Sequence, residues 1–141
     1  MNLYLDTSSL FKLYHDEIDS EEIDNIFANH TINGIFISEI AKIEFISTVW
    51  KKIRKTEISQ QKGLEIISLF KDDLNKYSII SIDSAILKKA ELLFSKYGQG
   101  GLRTLDSIQL ASAIFVKNQV QLFISADKLL DSFYKKELMM N

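Results

Sequence analysis

Short apolar segments alternate along this chain with longer segments of helical periodicity. The short segments 3–5, 35–37, 77–82 and 120–125 are apolar and largely rich in β-branched or aromatic residues, as in buried strands. Between them, apolar residues recur at helical spacing, which predicts helices at about 8–14, 21–29, 39–55, 59–73, 84–96, from 104 onward, and 128–134. Alternating strands and helices predict an α/β protein, a three-layer α/β/α sandwich around a central parallel sheet of four to five strands.

Three of the predicted helices have faces that can be assigned from the sequence. In helix 39–55 the apolar face is predicted to contain Ile43, Ile46, Val49, Trp50 and Ile53, and a polar stripe to contain Glu44, Ser47, Thr48 and Lys51. In helix 59–73 the buried line is expected to include Leu64, Ile67 and either Phe70 or Leu74. The helix that Thr104 is expected to cap is apolar nearly all round, so it should be buried.

Composition indicates one ordinary globular domain, residues 1–141. The chain is 46% hydrophobic and 26% charged, with no proline and 5 glycines, so long disordered linkers are not expected. It has no cysteine, which excludes disulfides, thiolate zinc sites and thiol catalysis.

The charge and the apolar runs limit the classes of partner. A net charge of −2 gives no overall basic field, so nucleic-acid binding would need a local basic patch or bound metal. Asp6 interrupts the N-terminus where a signal peptide would be apolar, and no apolar run approaches the ~20 residues that span a bilayer. We therefore expect a cytoplasmic protein without a membrane partner.

Four acids occupy positions from which they could converge. Asp6 follows the first predicted strand and Asp127 follows the last, and strand ends of a parallel sheet line the crevice where ligands bind. Asp106 lies in the first turn of its helix, and Glu44 lies on the polar stripe of helix 39–55. The structural alternatives are helix capping or a dipole role for the three aspartates and plain solvation for Glu44.

Convergence of these acids would require protons or a cation. Two carboxylates ~4 Å apart repel by about 4 kcal/mol at a protein-like effective dielectric, which is large beside a total stability of ~5–15 kcal/mol. With no cysteine, and with His15 and His30 in surface-like segments, an all-oxygen site favours Mg²⁺ or Mn²⁺ over zinc. Mg²⁺ sites commonly include a phosphate ligand, which indicates phosphoryl chemistry.

A basic cluster ends helix 39–55 and consists of Lys51, Lys52, Arg54 and Lys55. Basic side chains complement a helix C-terminus, so a structural role is the first interpretation. The second interpretation is contact with phosphates, which would hold a nucleic-acid backbone without reading its sequence.

Four motifs in order resemble the PIN-domain ribonucleases, in particular the VapC-like toxins of toxin–antitoxin pairs. They are Leu-Asp-Thr-Ser-Ser at 5–9, Ile-Ala-Lys-Ile-Glu-Phe at 40–45, Leu-Arg-Thr-Leu-Asp-Ser-Ile-Gln-Leu-Ala at 102–111, and Phe-Ile-Ser-Ala-Asp at 123–127. The resemblance implies a PIN-like fold, Mg²⁺- or Mn²⁺-dependent endoribonuclease activity, a homodimer and inhibition by an antitoxin protein. It also implies that Asp6, Glu44, Asp106 and Asp127 are catalytic metal ligands and that Ser125 supports them.

Two positions depart from the family pattern. Ala126 stands where the family often has Asn, which puts the supporting hydrogen bonds of the last motif in question, and Ser107 replaces a common Ala.

The expected mechanism is metal-assisted hydrolysis, in which a metal lowers the pKa of a water that attacks the phosphodiester without a side-chain nucleophile.

Two other classes stay open from the sequence. A receiver-like signalling domain is also a single α/β domain with an acidic Mg²⁺ pocket, although it usually has adjacent acids after its first strand and Asp6 has no acidic neighbour. A PIN-like scaffold without catalysis is the other class, and the presence of all four acids argues against it.

Overall fold

The structure, a computed structural model, describes residues 1–138. It contains four parallel strands, β1 (Asn2–Leu5), β2 (Gly34–Ser38), β3 (Ser78–Ile80) and β4 (Leu122–Ile124), in the order β3-β2-β1-β4. The predicted parallel sheet is confirmed. β3 is shorter than predicted because the chain leaves the ladder after Ile80, where the backbone N–H of Ile82 donates to the side chain of Glu39 instead.

Seven α-helices connect and follow these strands within the described residues. They are α1 (Thr7–Phe11), α2 (Ser20–Asn29), α3 (Ala41–Arg54), α4 (Gln60–Asp73), α5 (Ser84–Tyr97), α6 (Thr104–Phe115) and α7 (Lys128–Leu138), with a 3₁₀ turn at Leu74–Lys76. Ser59 and Asp83 cap α4 and α5 by accepting backbone hydrogen bonds. The predicted cap at Thr104 is wrong, because Arg103 is the N-cap residue and Thr104 is the first residue of α6.

Two hydrophobic cores lie on opposite faces of the sheet, which confirms the three-layer α/β/α sandwich. Successive side chains of a strand point to opposite faces, and Leu3 and Leu5 accordingly pack with α1 to α4 while Tyr4 packs with α5 to α7. α6 is buried along most of its length, as its apolar sequence predicts. No helix in residues 1–138 has the length and apolar character that crossing a membrane requires.

The predicted apolar face of α3 is partly wrong. Ile43 is 71% exposed and Trp50 is 37% exposed, whereas Ala41, Phe45 and Val49 are fully buried. The Phe45 ring stacks on that of Phe70 in α4, with centroids 4.0 Å apart, and this contact turns the 41–45–49 line toward the core. In α4 the predicted burial of Leu64 is wrong, whereas Ile67 and Phe70 are buried as predicted, together with Gly63 and Ile66.

Candidate active site

The carboxyl ends of β1 and β4 lie side by side and bring the first and last motifs together. Leu5 pairs with Ile124, so the residues that follow, Asp6 and Ser125, leave the sheet next to each other. The Ser125 hydroxyl donates to Asp6 Oδ2 at 2.5 Å and accepts from the backbone N–H of Asp127 at 3.1 Å. Ser125 therefore contacts the Asp6 carboxylate and the backbone of Asp127, although Ala126 stands between it and Asp127.

All four predicted acids line one cleft of about 620 Å³ at this end of the sheet: Asp6, Glu44, Asp106 and Asp127. They come from four different places in the fold, namely the end of β1, the first turn of α3, the first turn of α6 and the residue before α7. The structure thus brings together residues up to 121 positions apart in the sequence, as the strand-end argument predicts.

Asp6 is the most deeply buried of the four, with 4% of its surface exposed. Its Oδ1 accepts hydrogen bonds at 2.9 Å from the Ser8 hydroxyl and from the Ser9 backbone N–H, so Asp6 also caps α1. Burial raises the pKa of Asp6, and the hydrogen bonds from Ser125 and Ser9 oppose that rise. The capping interpretation and the cleft position are therefore both correct for this residue.

Glu44 is held by a buried hydrogen-bond network and is not a solvated surface residue. Its Oε1 accepts from Thr7 Oγ1 and from Gln109 Nε2, each at 2.8 Å. The Gln109 amide oxygen accepts from the Tyr4 hydroxyl at 2.6 Å, which leaves the amide nitrogen facing Glu44. The carboxylate of Glu44 thus has a fixed position at the cleft wall.

Asp106 and Asp127 complete the acidic side of the cleft. Burial raises the pKa of the Asp106 carboxyl, and the charges of Asp127, Glu44 and Asp6 raise it further, while Arg103 opposes them. In residues 1–138 the Asp106 carboxylate has no hydrogen-bond donor, whereas Asp127 Oδ1 accepts from the Leu130 N–H at 2.9 Å and caps α7. Asp106 is therefore the acid with most need of a positive partner.

The residues of the cleft fit a hard divalent cation in their chemistry but are not preassembled around one. Within residues 1–138, no three histidine or acidic side chains already have the arrangement of metal ligands. The donor set is nonetheless entirely oxygen, which suits Mg²⁺ and Mn²⁺. A bound cation would also lower the raised pKa values of Asp6 and Asp106.

The structure divides the basic cluster at the end of α3. Lys51 and Lys52 line the cleft, whereas Arg54 and Lys55 are exposed and lie outside it. Lys52 Nζ is already paired, at 2.5 Å from Glu17 Oε1 and 3.3 Å from Glu57 Oε2. Only part of the cluster thus faces the acids.

Comparison with known protein families decides the classification. The PIN domain family model matches residues 3–136, nearly the whole chain. The chain belongs to the PIN-domain family. This confirms the resemblance seen in the four motifs, and it leaves a receiver-like signalling domain without support. No curated protein matches this PIN domain.

Solved structures show that the PIN domain shares its fold with toxins. It is similar to VapC20 of Mycobacterium tuberculosis, a toxin that cleaves the sarcin-ricin loop, with a TM-score of 0.68 and 11% identity over 92% of this chain and 93% of that one. It is also similar to a chain of VapBC2 from Rickettsia felis, bound to a DNA fragment from its promoter, with a TM-score of 0.62 and 18% identity over 94% and 92%. A toxin–antitoxin complex from Klebsiella pneumoniae gives a TM-score of 0.60 and 20% identity over 89% and 88%.

The residues that sequence reasoning missed in this PIN domain are those that hold Glu44. Thr7 and Gln109 both contact its Oε1, and Tyr4 orients Gln109 from behind. One signal was present in the sequence, because Gln109 is a long polar residue in a helix that is otherwise almost wholly apolar, and such a residue needs a buried partner.

Proposed function

We propose that this chain is a metal-dependent endoribonuclease and the toxin of a type II toxin–antitoxin pair. The observation that carries the proposal is the convergence of Asp6, Glu44, Asp106 and Asp127 on one cleft, with burial and mutual repulsion raising the pKa of Asp106. A fold that needed these acids only as helix caps has no reason to direct them into the same cleft.

The four acids would hold Mg²⁺ or Mn²⁺, and they differ in how firmly hydrogen bonds fix them. Asp6 is fixed by three hydrogen-bond donors, and Glu44 by two, so these carboxylates are positioned before anything binds. Asp106 has no such donor in residues 1–138 and is free to turn toward a cation. When bound, the metal would supply a water of lowered pKa and neutralise charge that develops on the phosphate.

The protein itself contributes positioning and charge, and no side-chain nucleophile. No cysteine or histidine lines the cleft, and the hydroxyls of Thr7 and Ser8 are engaged as donors to Glu44 and Asp6. Water is therefore the proposed nucleophile: its oxygen forms the new bond to phosphorus, the bond from phosphorus to the leaving oxygen breaks, and the products are a phosphate end and a hydroxyl end. Lys51 would contact the substrate backbone from the cleft wall.

The proposed substrate and partners rest on the family and on the structural neighbours. A chain of the same fold is a toxin that cleaves the sarcin-ricin loop, which supports cleavage as the reaction. Neighbours occur in toxin–antitoxin assemblies, which supports an antitoxin partner. RNA as substrate, a homodimer and a cytoplasmic location are parts of the same proposal.

End-mapping of RNA tests the proposal. Purified protein is incubated with total RNA, with and without Mn²⁺, and new ends are mapped for the wild type, Asp106→Asn and Asp72→Asn. Asp72 is an exposed acid outside the cleft, so it provides a control of equal charge change. We expect metal-dependent ends for the wild type and Asp72→Asn and none for Asp106→Asn. Absence of cleavage by the wild type would instead support a PIN scaffold without catalysis.

A further inference from the structure

The cleft that the four acids line also carries three lysines, Lys12, Lys51 and Lys52. Lys12 follows α1 directly and has only 7% of its side chain exposed, with its Nζ 2.9 Å from Asp19 Oδ2. Lys52 extends from the last turn of α3, over the Phe11 ring, to Glu17. Two of the three ammonium groups are therefore neutralised by carboxylates of the protein.

Both neutralising carboxylates belong to the connection between α1 and α2. Between Glu17 and Asp19 stands Ile18, whose side chain is fully exposed. The apolar residue at this point therefore makes no packing contact that would hold the connection against the cleft. Local bonds do shape it, because the Glu17 N–H donates to the Ser20 hydroxyl and Glu17 Oε2 lies 3.3 Å from His15 Nδ1. Its contacts to the lysines are the two ion pairs and a hydrogen bond of 3.5 Å from Lys12 Nζ to the Asp19 carbonyl oxygen.

The charge of the cleft makes these two acids an obstacle to a polyanion. Six carboxylates line it against three lysines. Four of the carboxylates form the candidate metal site, where a cation would offset them. Glu17 and Asp19 have no such role, and they cancel the very charges that an RNA backbone would seek.

We propose that Lys12 and Lys52 form a phosphate-binding subsite for the RNA backbone, which Asp19 and Glu17 occupy until the substrate displaces them. The proposal rests on the proposed nuclease function and names the part of the cleft that the substrate enters. Carboxylate and phosphate oxygens are equivalent acceptors for an ammonium group, so the exchange replaces one ion pair by another. Glu57, the weaker partner of Lys52 at 3.3 Å, can stay in place.

Binding of a single-stranded oligonucleotide in EDTA tests the subsite without any cleavage. The probe is a fluorescein-labelled 2′-O-methyl RNA of mixed sequence, and its anisotropy is followed as a function of KCl concentration. The test variant is Glu17→Gln with Asp19→Asn. The control is Glu21→Gln with Glu22→Gln, which changes the net charge equally at two exposed acids of neighbouring α2 that form no ion pair in residues 1–138.

The test variant should bind the probe more tightly than the wild type at low salt, by roughly two- to thirtyfold, since two weak ion pairs no longer compete. Its dependence on salt should become weaker by about 1.4 counterions when Lys12→Gln and Lys52→Gln are added, because each of the two lysine contacts to a single strand releases about 0.7. Adding Lys12→Gln and Lys52→Gln to the test variant should abolish the gain. Circular dichroism confirms that each variant is folded.

Equal effects of the two acid pairs would overturn the subsite and leave only a general charge effect. Failure of both the wild type and the test variant to bind the probe would also overturn it. The outcome is separate from that of end-mapping. If the test variant binds as expected but the wild type cuts no RNA with Mn²⁺, the subsite stands and the nuclease function fails. If the wild type cuts RNA but the two acid pairs behave alike, the reverse holds.

Discussion

Replacement of Gln109 by Met should weaken the metal-free fold and loosen Glu44 at the same time. In the wild type, the Gln109 amide donates to Glu44 at 2.8 Å and accepts from the Tyr4 hydroxyl at 2.6 Å. Met has nearly the length of Gln but can form neither of these hydrogen bonds. A hydrogen bond to a charged group contributes about 1.5–3 kcal/mol and a neutral one about 1 kcal/mol, while burial of the apolar Met returns about 1 kcal/mol. We expect a net loss of roughly 2 kcal/mol in the free energy of unfolding.

Urea unfolding in EDTA at neutral pH measures this loss. Gln119→Met is the matched control, because Gln119 is exposed just beyond α6 and its side chain holds no other residue in the described chain. The Tyr4 hydroxyl can fall back on the Gln109 carbonyl at 3.1 Å, which limits the damage and keeps the fold intact. If Gln109→Met were as stable as Gln119→Met, the network would not hold Glu44 and our description of that residue would be wrong.

Three further predictions follow from particular contacts. Burial raises the pKa of Asp6, so this carboxyl should cost the metal-free wild type stability as the pH rises above about 4, a cost that Asp6→Asn lacks; urea unfolding should show the advantage of the variant growing with pH, and a constant difference would contradict the shift. Ser125→Ala removes the 2.5 Å bond to Asp6 and should weaken Mn²⁺ binding, measured by calorimetry, about tenfold; unchanged affinity would exclude a supporting role. Gly63→Ala would place a methyl group 2.5 Å from Ile53 Cδ1 and 3.0 Å from Val49 Cγ1, so overpacking of about 1–3 kcal/mol should outweigh a gain of ~1 kcal/mol in helix propensity and lower the Tm; a raised Tm would show that α3 and α4 adapt.

The order and type of the elements could be predicted because each rests on a local pattern. Every predicted strand is present, and α4 and α5 begin within one residue of the predicted positions 59 and 84. The position of Asp6 and Asp127 at one sheet edge followed from topology alone, since parallel strands end together.

The contacts between distant residues could not be predicted in the same way. The rotation of α3 depends on the stacking of Phe45 against Phe70, 25 positions later, and an amphipathic pattern does not contain that information. Likewise, the sequence shows Lys52 as one of four neighbouring cations, whereas the structure pairs it with Glu17 across 35 positions. Tertiary partners, not local preference, decide which of these side chains face the cleft.

Paired thermal melts in EDTA and in millimolar Mn²⁺ test most directly whether the four acids form one metal site. Removing one carboxylate from a repelling group should raise the metal-free Tm, so Asp6→Asn should melt above the wild type in EDTA, and its side-chain oxygen can still cap α1. Mn²⁺ at 100 times its Kd should stabilise the wild type by about 2.7 kcal/mol and the variant much less, so the order of the two Tm values should reverse.

Glu44→Gln is the decisive variant in these melts, because Glu44 is the acid for which the sequence alone allowed plain solvation on a helix surface. If it belongs to the site, its replacement should reduce the rise in Tm that Mn²⁺ causes, while Asp72→Asn should respond to Mn²⁺ like the wild type. If Glu44→Gln instead melts as the wild type does in both EDTA and Mn²⁺, Glu44 is not a ligand and the four-acid site is wrong.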